Sequence, residues 1–143
     1  LFEIGDYIVL SRLLEGDFLD YRAAIPKTSA TEVVLQTRAF MDSVERVSLL
    51  INDRRRIPVR CIFENQEVKV SCETEIGRAN DQFPAEISGE GVEMGFNNRY
   101  LLDALRNSED DEVKIQLNGP ISPMTILPKE GDAFLFLVLP VRL

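Results

Sequence analysis

Carboxylates dominate the reactive side chains of this 143-residue chain: 24 Asp and Glu stand against 16 Lys and Arg, and there is no His. Without imidazole, Ser–His and Cys–His nucleophilic systems and His-based metal sites are excluded. A carboxylate pair could do acid–base work only if burial raised one pKa, and most acids here fall in turns and on polar faces. Glu109-Asp110-Asp111-Glu112 offers oxygen ligands for a hard cation but reads as a solvated loop after a helix. Gly89-Glu90-Gly91 is too short to cradle a phosphate, and no G-x-x-x-x-G-K-[ST] run occurs, so it reads as a turn. Cys61 and Cys72 lie in strand-patterned segments and are expected to be buried and reduced. Neither a metal, a cofactor nor a catalytic residue is expected.

Charge and length narrow the remaining classes. The net charge is -8 and the pI is near 4.6, a balance that repels phosphates over most of the surface. Between Thr31 and Arg60, however, six arginines (38, 46, 54, 55, 56, 60) face four acids (32, 42, 45, 53), a local +2 that leaves about -10 elsewhere. With 45% apolar residues the chain can fill one domain core. No apolar run approaches the roughly 20 residues a bilayer span needs, so a soluble, cytoplasmic protein is expected. The start LFEIGDYIVL has neither an initiator Met nor a basic region before an apolar stretch, which argues against a signal peptide and points to a piece of a longer protein.

These side chains must be held by an α+β frame. Residues 1–18 read as a hairpin turning at Gly5-Asp6 and ending at Gly16-Asp17. DYRAAIPK is a looser segment in which Pro26 drives Ile25 toward an extended conformation. Ser29-Ala30-Thr31-Glu32 forms a capping box, and Val33, Phe40, Val44, Val47 and Ile51 make a helical stripe ending near Asn52-Asp53. Strands follow at Ile57–Phe63, Glu67–Glu73, Phe83–Ser88 and Val92–Phe96, with turns at 64–66 and 89–91. Asn97 caps a second helix, NRYLLDALRN, with Leu101, Ala104 and Leu105 on its apolar face. Strands resume at Glu112–Asn118, Met124–Leu127 and Ala133–Val141, the last so continuously apolar that a central, buried position is expected. The order helix, strands, helix, strands predicts two quasi-equivalent antiparallel sheets with both helices on one face.

Three stretches of the chain together resemble the bacterial DNA sliding clamp, the beta subunit of DNA polymerase III. EGDFLDYRAAIPK (15–27) is similar to that family's junction between second and third domains. GFNNRYLLDAL (95–105) is similar to the helix start of its third domain, and LVLPVRL (137–143) to its chain end. ERVSLL (45–50) adds to the likeness. The resemblance implies a DNA-clamp fold with internal pseudo-symmetry. Residues 1–20 would be the last strands of the preceding clamp domain and a linker, and 21–143 the third domain. It implies a processivity factor, not an enzyme: a homodimeric ring that slides on double-stranded DNA without reading sequence. Its partners would be DNA polymerase subunits, the clamp loader and other clamp-binding-motif proteins, with no membrane involved.

The family's partners dock a short, mostly apolar peptide between the second and third domains. The residues carried over by the resemblance are Leu19, Ala24, Asn97, Tyr100, Ile121, Pro123, Leu137, Leu139, Pro140, Val141, Arg142 and Leu143. Leu19 replaces a common proline and Ala24 a branched residue, which would reshape the pocket. Asn97 has a second role as helix cap, and Tyr100 a second role in packing. Leu135 and Val138 read as core. Pro140 cannot donate to a sheet ladder, so the strand is released there and Leu139 to Leu143 read as surface. Arg38, Arg46, Arg99 and Arg106, the basic residues of the two helices, are the implied DNA-channel contacts, with Asp42 and Glu45 among them. The competing reading is a stand-alone α+β interaction module without a DNA role. An acid–base hydrolase would require two buried acids in one cleft.

Overall fold

The computed structural model describes residues 1–18, 20–51 and 57–143. Its elements are β1 (Phe2–Ile4), β2 (Tyr7–Val9), α1 (Tyr21–Ala24), β3 (Thr31–Gln36), α2 (Thr37–Ser48), β4 (Val59–Glu64), β5 (Glu67–Thr74), β6 (Gly77–Pro84), β7 (Glu86–Gly89), β8 (Val92–Phe96), α3 (Asn98–Arg106), β9 (Glu112–Leu117), β10 (Met124–Pro128) and β11 (Phe136–Val138). The strands form antiparallel sheets ordered β11-β10-β9-β3-β7 and β6-β5-β4-β8, plus the small hairpin β1-β2. The expected α+β class and two-sheet, two-helix frame are present.

The halves of the domain repeat with an offset of 61 residues across their first strand and helix. β3 runs into α2 through Gln36 (φ -71, ψ 119), and β8 runs into α3 through Asn97 (φ -70, ψ 120). Phe40 and Val44 on α2 correspond to Leu101 and Leu105 on α3, and all four are buried. Each lead strand crosses to the other half's sheet: β3 pairs with β9, and β8 with β4. That exchange ties both halves into one core, because each sheet contains strands from both halves. Phe40 sits at its centre, edge-on to Phe63 at 6.3 Å and tilted against Phe83 at 5.5 Å.

Several sequence expectations give way here. The segment after Ser29 is a strand before it is a helix. Ser29 Oγ does donate to Glu32 Oε1 at 3.1 Å, yet Thr31, Val33 and Leu35 are buried while Glu32 and Gln36 are exposed, the period-two pattern of β3. Val33 lies seven residues before Phe40, two helical turns, so a residue buried by the strand period falls by coincidence on the helical stripe. The helix stop expected at Asn52-Asp53 lies outside the described residues, and α2 itself ends at Ser48. The single strand expected over 83–88 is two, β6 and β7, placed in different sheets. Gly89-Glu90-Gly91 therefore carries the chain between sheets instead of closing a hairpin. The second strand of the N-terminal hairpin stops at Val9, and the looser DYRAAIPK segment contains the short α1, capped by Asp20. Ile25 is extended before Pro26 as expected. Residues 64–66 do form a hairpin turn, with Asn65 and Gln66 both at positive φ.

The largest correction concerns the chain end. The apolar run over 133–141 is not a central strand: β11 covers three residues at the edge of the five-stranded sheet. Leu135, expected in the core, is 41% exposed, whereas Val138 is buried as expected. A continuous apolar run cannot distinguish burial by the fold from a surface kept apolar for another reason.

Candidate functional site

The terminal segment is built around one proline and one glycine. Pro140 has no N–H to donate, and regular pairing of β11 with β10 ends at Val138. Past it, the Val141 amide donates to the Gly95 carbonyl of β8 at 2.8 Å, an isolated antiparallel bridge that pins the tail to the other sheet. Gly95 permits this approach. A Cβ there would lie 2.7 Å from the Val141 carbonyl and 2.8 Å from Leu143 Cδ2. Between β11 and this bridge the chain presents Leu139, 65% exposed, and beyond the bridge Leu143, 54% exposed.

Two adjoining grooves border the tail. One, of about 700 Å³, runs between the segment Leu135–Val141 and the face of α3 that carries Tyr100, Asp103, Ala104 and Asn107. Those four recur at helical spacing, so one stripe forms the wall. The second groove, of about 660 Å³, lies between the tail, the Pro120-Ile121 loop and β8 at Glu93–Gly95. Tyr100 and Ile121, 67% and 83% exposed, thus offer large apolar surfaces facing the two grooves.

Of the residues anticipated for a peptide pocket, Tyr100, Leu137, Leu139, Pro140 and Val141 line the first groove, and Ile121, Arg142 and Leu143 line the second, which Pro140 and Val141 share. Asn97 stands beside the site as the cap of α3, its Oδ1 accepting from the amides of Arg99 and Tyr100 at 3.0 and 3.4 Å. It positions Tyr100 and lines neither groove. Pro123 and Ala24 line neither groove as well; Ala24 is exposed on α1. Leu19 lies outside the described residues. Sequence reading missed Gly95 as the seat of the tail and Asp103 and Asn107 as wall residues. Extending the helical spacing from Tyr100 would have found the latter two.

The helical face is nearly charge-balanced. Arg38 pairs with Asp42 at 2.9 Å, Arg46 with Asp81 at 2.6 Å, and Arg106 with Glu45 at 2.8 Å, the last joining the two helices. Loss of solvation would raise the Asp81 carboxyl, but hydrogen bonds from Arg46 and the Gln82 amide outweigh it and hold the group below the usual carboxylate range. All four arginines have exposed surface. Exposed pairs of this kind exchange partners readily when phosphates compete. Cys61 and Cys72 are buried, free thiols whose pKa burial pushes up, so they are poor nucleophiles and ligands.

Residues 22–142 match the family model of the DNA polymerase III beta subunit, C-terminal domain. The chain is 32% identical over 145 residues to the beta sliding clamp of Bacillus subtilis, covering 99% of this chain and 38% of that protein. To the beta sliding clamp of a Synechocystis species it is 31% identical, covering 100% of this chain and 37% of the relative. Among solved structures it superposes on the DNA polymerase sliding clamp of Bacillus subtilis with a TM-score of 0.87 at 32% identity, covering 93% of this chain and 36% of that one. A Bartonella birtlesii sliding clamp bound to griselimycin gives 0.85 at 32% identity, over 91% and 35%. The chain therefore spans well under half the length of the relatives it matches.

Proposed function

Because the chain belongs to the DNA polymerase III beta subunit family, through its C-terminal domain, we propose that it serves as one domain of a non-catalytic processivity ring that encircles duplex DNA. In this reading the tail and its two grooves form a docking site for short apolar peptides of polymerase, clamp-loader and repair partners. The observation that carries it is the released tail: apolar side chains exposed around Pro140, facing Tyr100 and Ile121 across grooves of peptide size. A packing role would bury those side chains. The griselimycin-bound relative supports a ligand site in clamps of this kind.

The domain division belongs to the same proposal. Residues 1–20 are read as the last strands of a preceding clamp domain and a linker, and 21–143 as the third domain. In support, the family match begins at residue 22, and Phe2, Ile4, Tyr7, Ile8, Leu10, Leu13 and Leu14 are exposed apolar side chains that a neighbouring domain would cover. Arg38, Arg46, Arg99 and Arg106 would line the DNA channel of a homodimeric ring and meet phosphates without base contacts. The acidic remainder would face outward in a cytoplasmic setting; among the described residues no helix is long and apolar enough to cross a membrane.

Isothermal titration tests the docking reading with a peptide that carries a polar residue followed by leucines and a phenylalanine. The intact chain should bind it, and a chain lacking Arg142 and Leu143 should bind it at least several-fold more weakly. Equal binding by both would remove the pocket assignment.

A further inference from the structure

The pseudo-symmetry of the domain leaves one strand position empty. The 61-residue offset equates Thr31, Glu32, Val33 and Val34 of β3 with Val92, Glu93, Met94 and Gly95 of β8. On the outer side of β3 lies β7, paired over four positions from Val34↔Glu86 to Thr31↔Gly89. On the outer side of β8, among the described residues, there is one bridge, Gly95↔Val141. Val141 thus stands where Glu86 stands, and the places of Ile87, Ser88 and Gly89 have no counterpart.

The tail's own sequence explains why it does not fill them. Ile87 is half-buried and packs on the core opposite Val33. The residue in its place would be Arg142, and turning a guanidinium toward the buried Met94 would strip its water without providing a partner. The tail instead folds Leu143 back over Gly95. What remains beside β8 is the 660 Å³ groove, lined by Ile121 and by the exposed residue Glu93 of β8.

From this vacancy we infer that the outer edge of β8 is a strand-addition site for an extended segment of a partner protein. That segment runs antiparallel to β8 and continues the ladder that Val141 begins. Its chemistry follows from the edge. The residue opposite Met94 points inward, as Ile87 does, and must be apolar to cover Ile121. The residue opposite Glu93 points outward beside the Glu93–Arg60 pair, which is 2.7 Å long and half-exposed, and a Lys there shares the carboxylate. The ligand is therefore an alternating apolar and basic strand bound through its backbone, and Arg142-Leu143 must swing aside to admit it. The inference uses the pseudo-symmetry alone and does not require the processivity reading.

Amide-resolved NMR on the full chain tests it, with the peptide acetyl-(Val-Lys)4-amide as probe. In the free protein the Glu93 amide should exchange at least tenfold faster than its counterpart at Glu32. At 1 mM probe its exchange should slow at least threefold, with shifts confined to β8 and the tail. The (Val-Glu)4 analogue and a probe whose lysines are N-methylated on the backbone, the donors that face Glu93, should each do less than a third as much. Removing Arg142 and Leu143 should strengthen the probe's effect, the opposite of what the docking reading expects for its apolar peptide, so the two can fail separately. No slowing at Glu93, equal effects from the N-methylated probe, or shifts centred on Tyr100 and Asp103 would each overturn the inference.

Discussion

β7 and the tail occupy equivalent places in the two halves, and the helix–sheet crevices beside them are equivalent too. In the first half everything closes. β7 pairs at four positions, and Gln66 staples it through both ends of its side-chain amide, donating to the Ile87 carbonyl at 2.7 Å and accepting from the Ile87 amide at 2.9 Å. The crevice between α2 and β6 is shut by Arg46 on Asp81. In the second half the corresponding places stay open. The tail makes one bridge, and Arg46 is replaced by Asn107, which donates to the Asp103 carbonyl of its own helix at 2.7 Å and leaves the α3–β11 groove unspanned. The shared frame needs only one closed half to be stable, so the other can keep apolar surface for partners. Function here arises where one copy of a repeat omits contacts that the other copy makes.

The most disruptive way to break this contrast is to give the closed edge a long cationic side chain, as Arg142 would place on the other edge. Ile87→Lys should expel β7 from β3, costing about 2 kcal/mol of stability as a charge replaces a packed apolar side chain. Chemical denaturation would measure the loss, and faster exchange at the Glu32 amide would locate it. An unchanged midpoint would mean that side-chain chemistry does not decide which edge fills. Gln66→Ala should cost less, about 1–2 kcal/mol, because β7 keeps its ladder but two backbone groups of Ile87 lose their partners.

The repeat itself was only partly legible in the sequence. The order helix, strands, helix, strands was readable because Phe40, Val44 and Val47, and then Leu101, Ala104 and Leu105, keep helical spacing. The strand that opens the first half was not readable, because Val33 fits the helical stripe and the Ser29–Glu32 pair mimics a cap. Opening strand β8 was readable, because Asn97 caps its helix with a side chain while Gln36 makes no such bond. For the site, the resemblance supplied the terminal residues and Tyr100. Gly95 escaped because what the glycine admits, a second backbone, is 46 residues away in sequence. The central position expected for the terminal strand failed because apolarity reports aversion to water and not which molecule will cover the surface.

Acid should sharpen the difference between the crevices. The Asp81 carboxyl is held below its ordinary range in the folded chain. A depressed pKa contributes stability above the unfolded carboxylate value, near 4, and that contribution disappears as pH falls through the folded value. The α2–β6 closure should therefore weaken below about pH 4, while the α3–β11 groove, among whose lining residues Asp103 is the one acid, should change less. Asp81→Asn should flatten this part of the stability–pH curve. At neutral pH it should cost less than about 1 kcal/mol, since Arg46 is largely exposed. A curve that is the same with and without Asp81 would show that the pair does not close the crevice.

Removing Arg142 and Leu143 should change stability least of all, by no more than about 0.5 kcal/mol, because both side chains are exposed and the Val141 bridge to Gly95 is kept. The same truncation should nonetheless have the largest effect on binding, weakening the apolar peptide of the docking reading and strengthening the alternating strand probe. A large stability effect has a definite meaning: the tail would then be part of the frame, as β7 is, and the contrast between a closed half and an open half would collapse. Thermal unfolding of the truncated chain beside Ile87→Lys distinguishes these cases, since only the substitution in the closed half should lower the transition by several degrees.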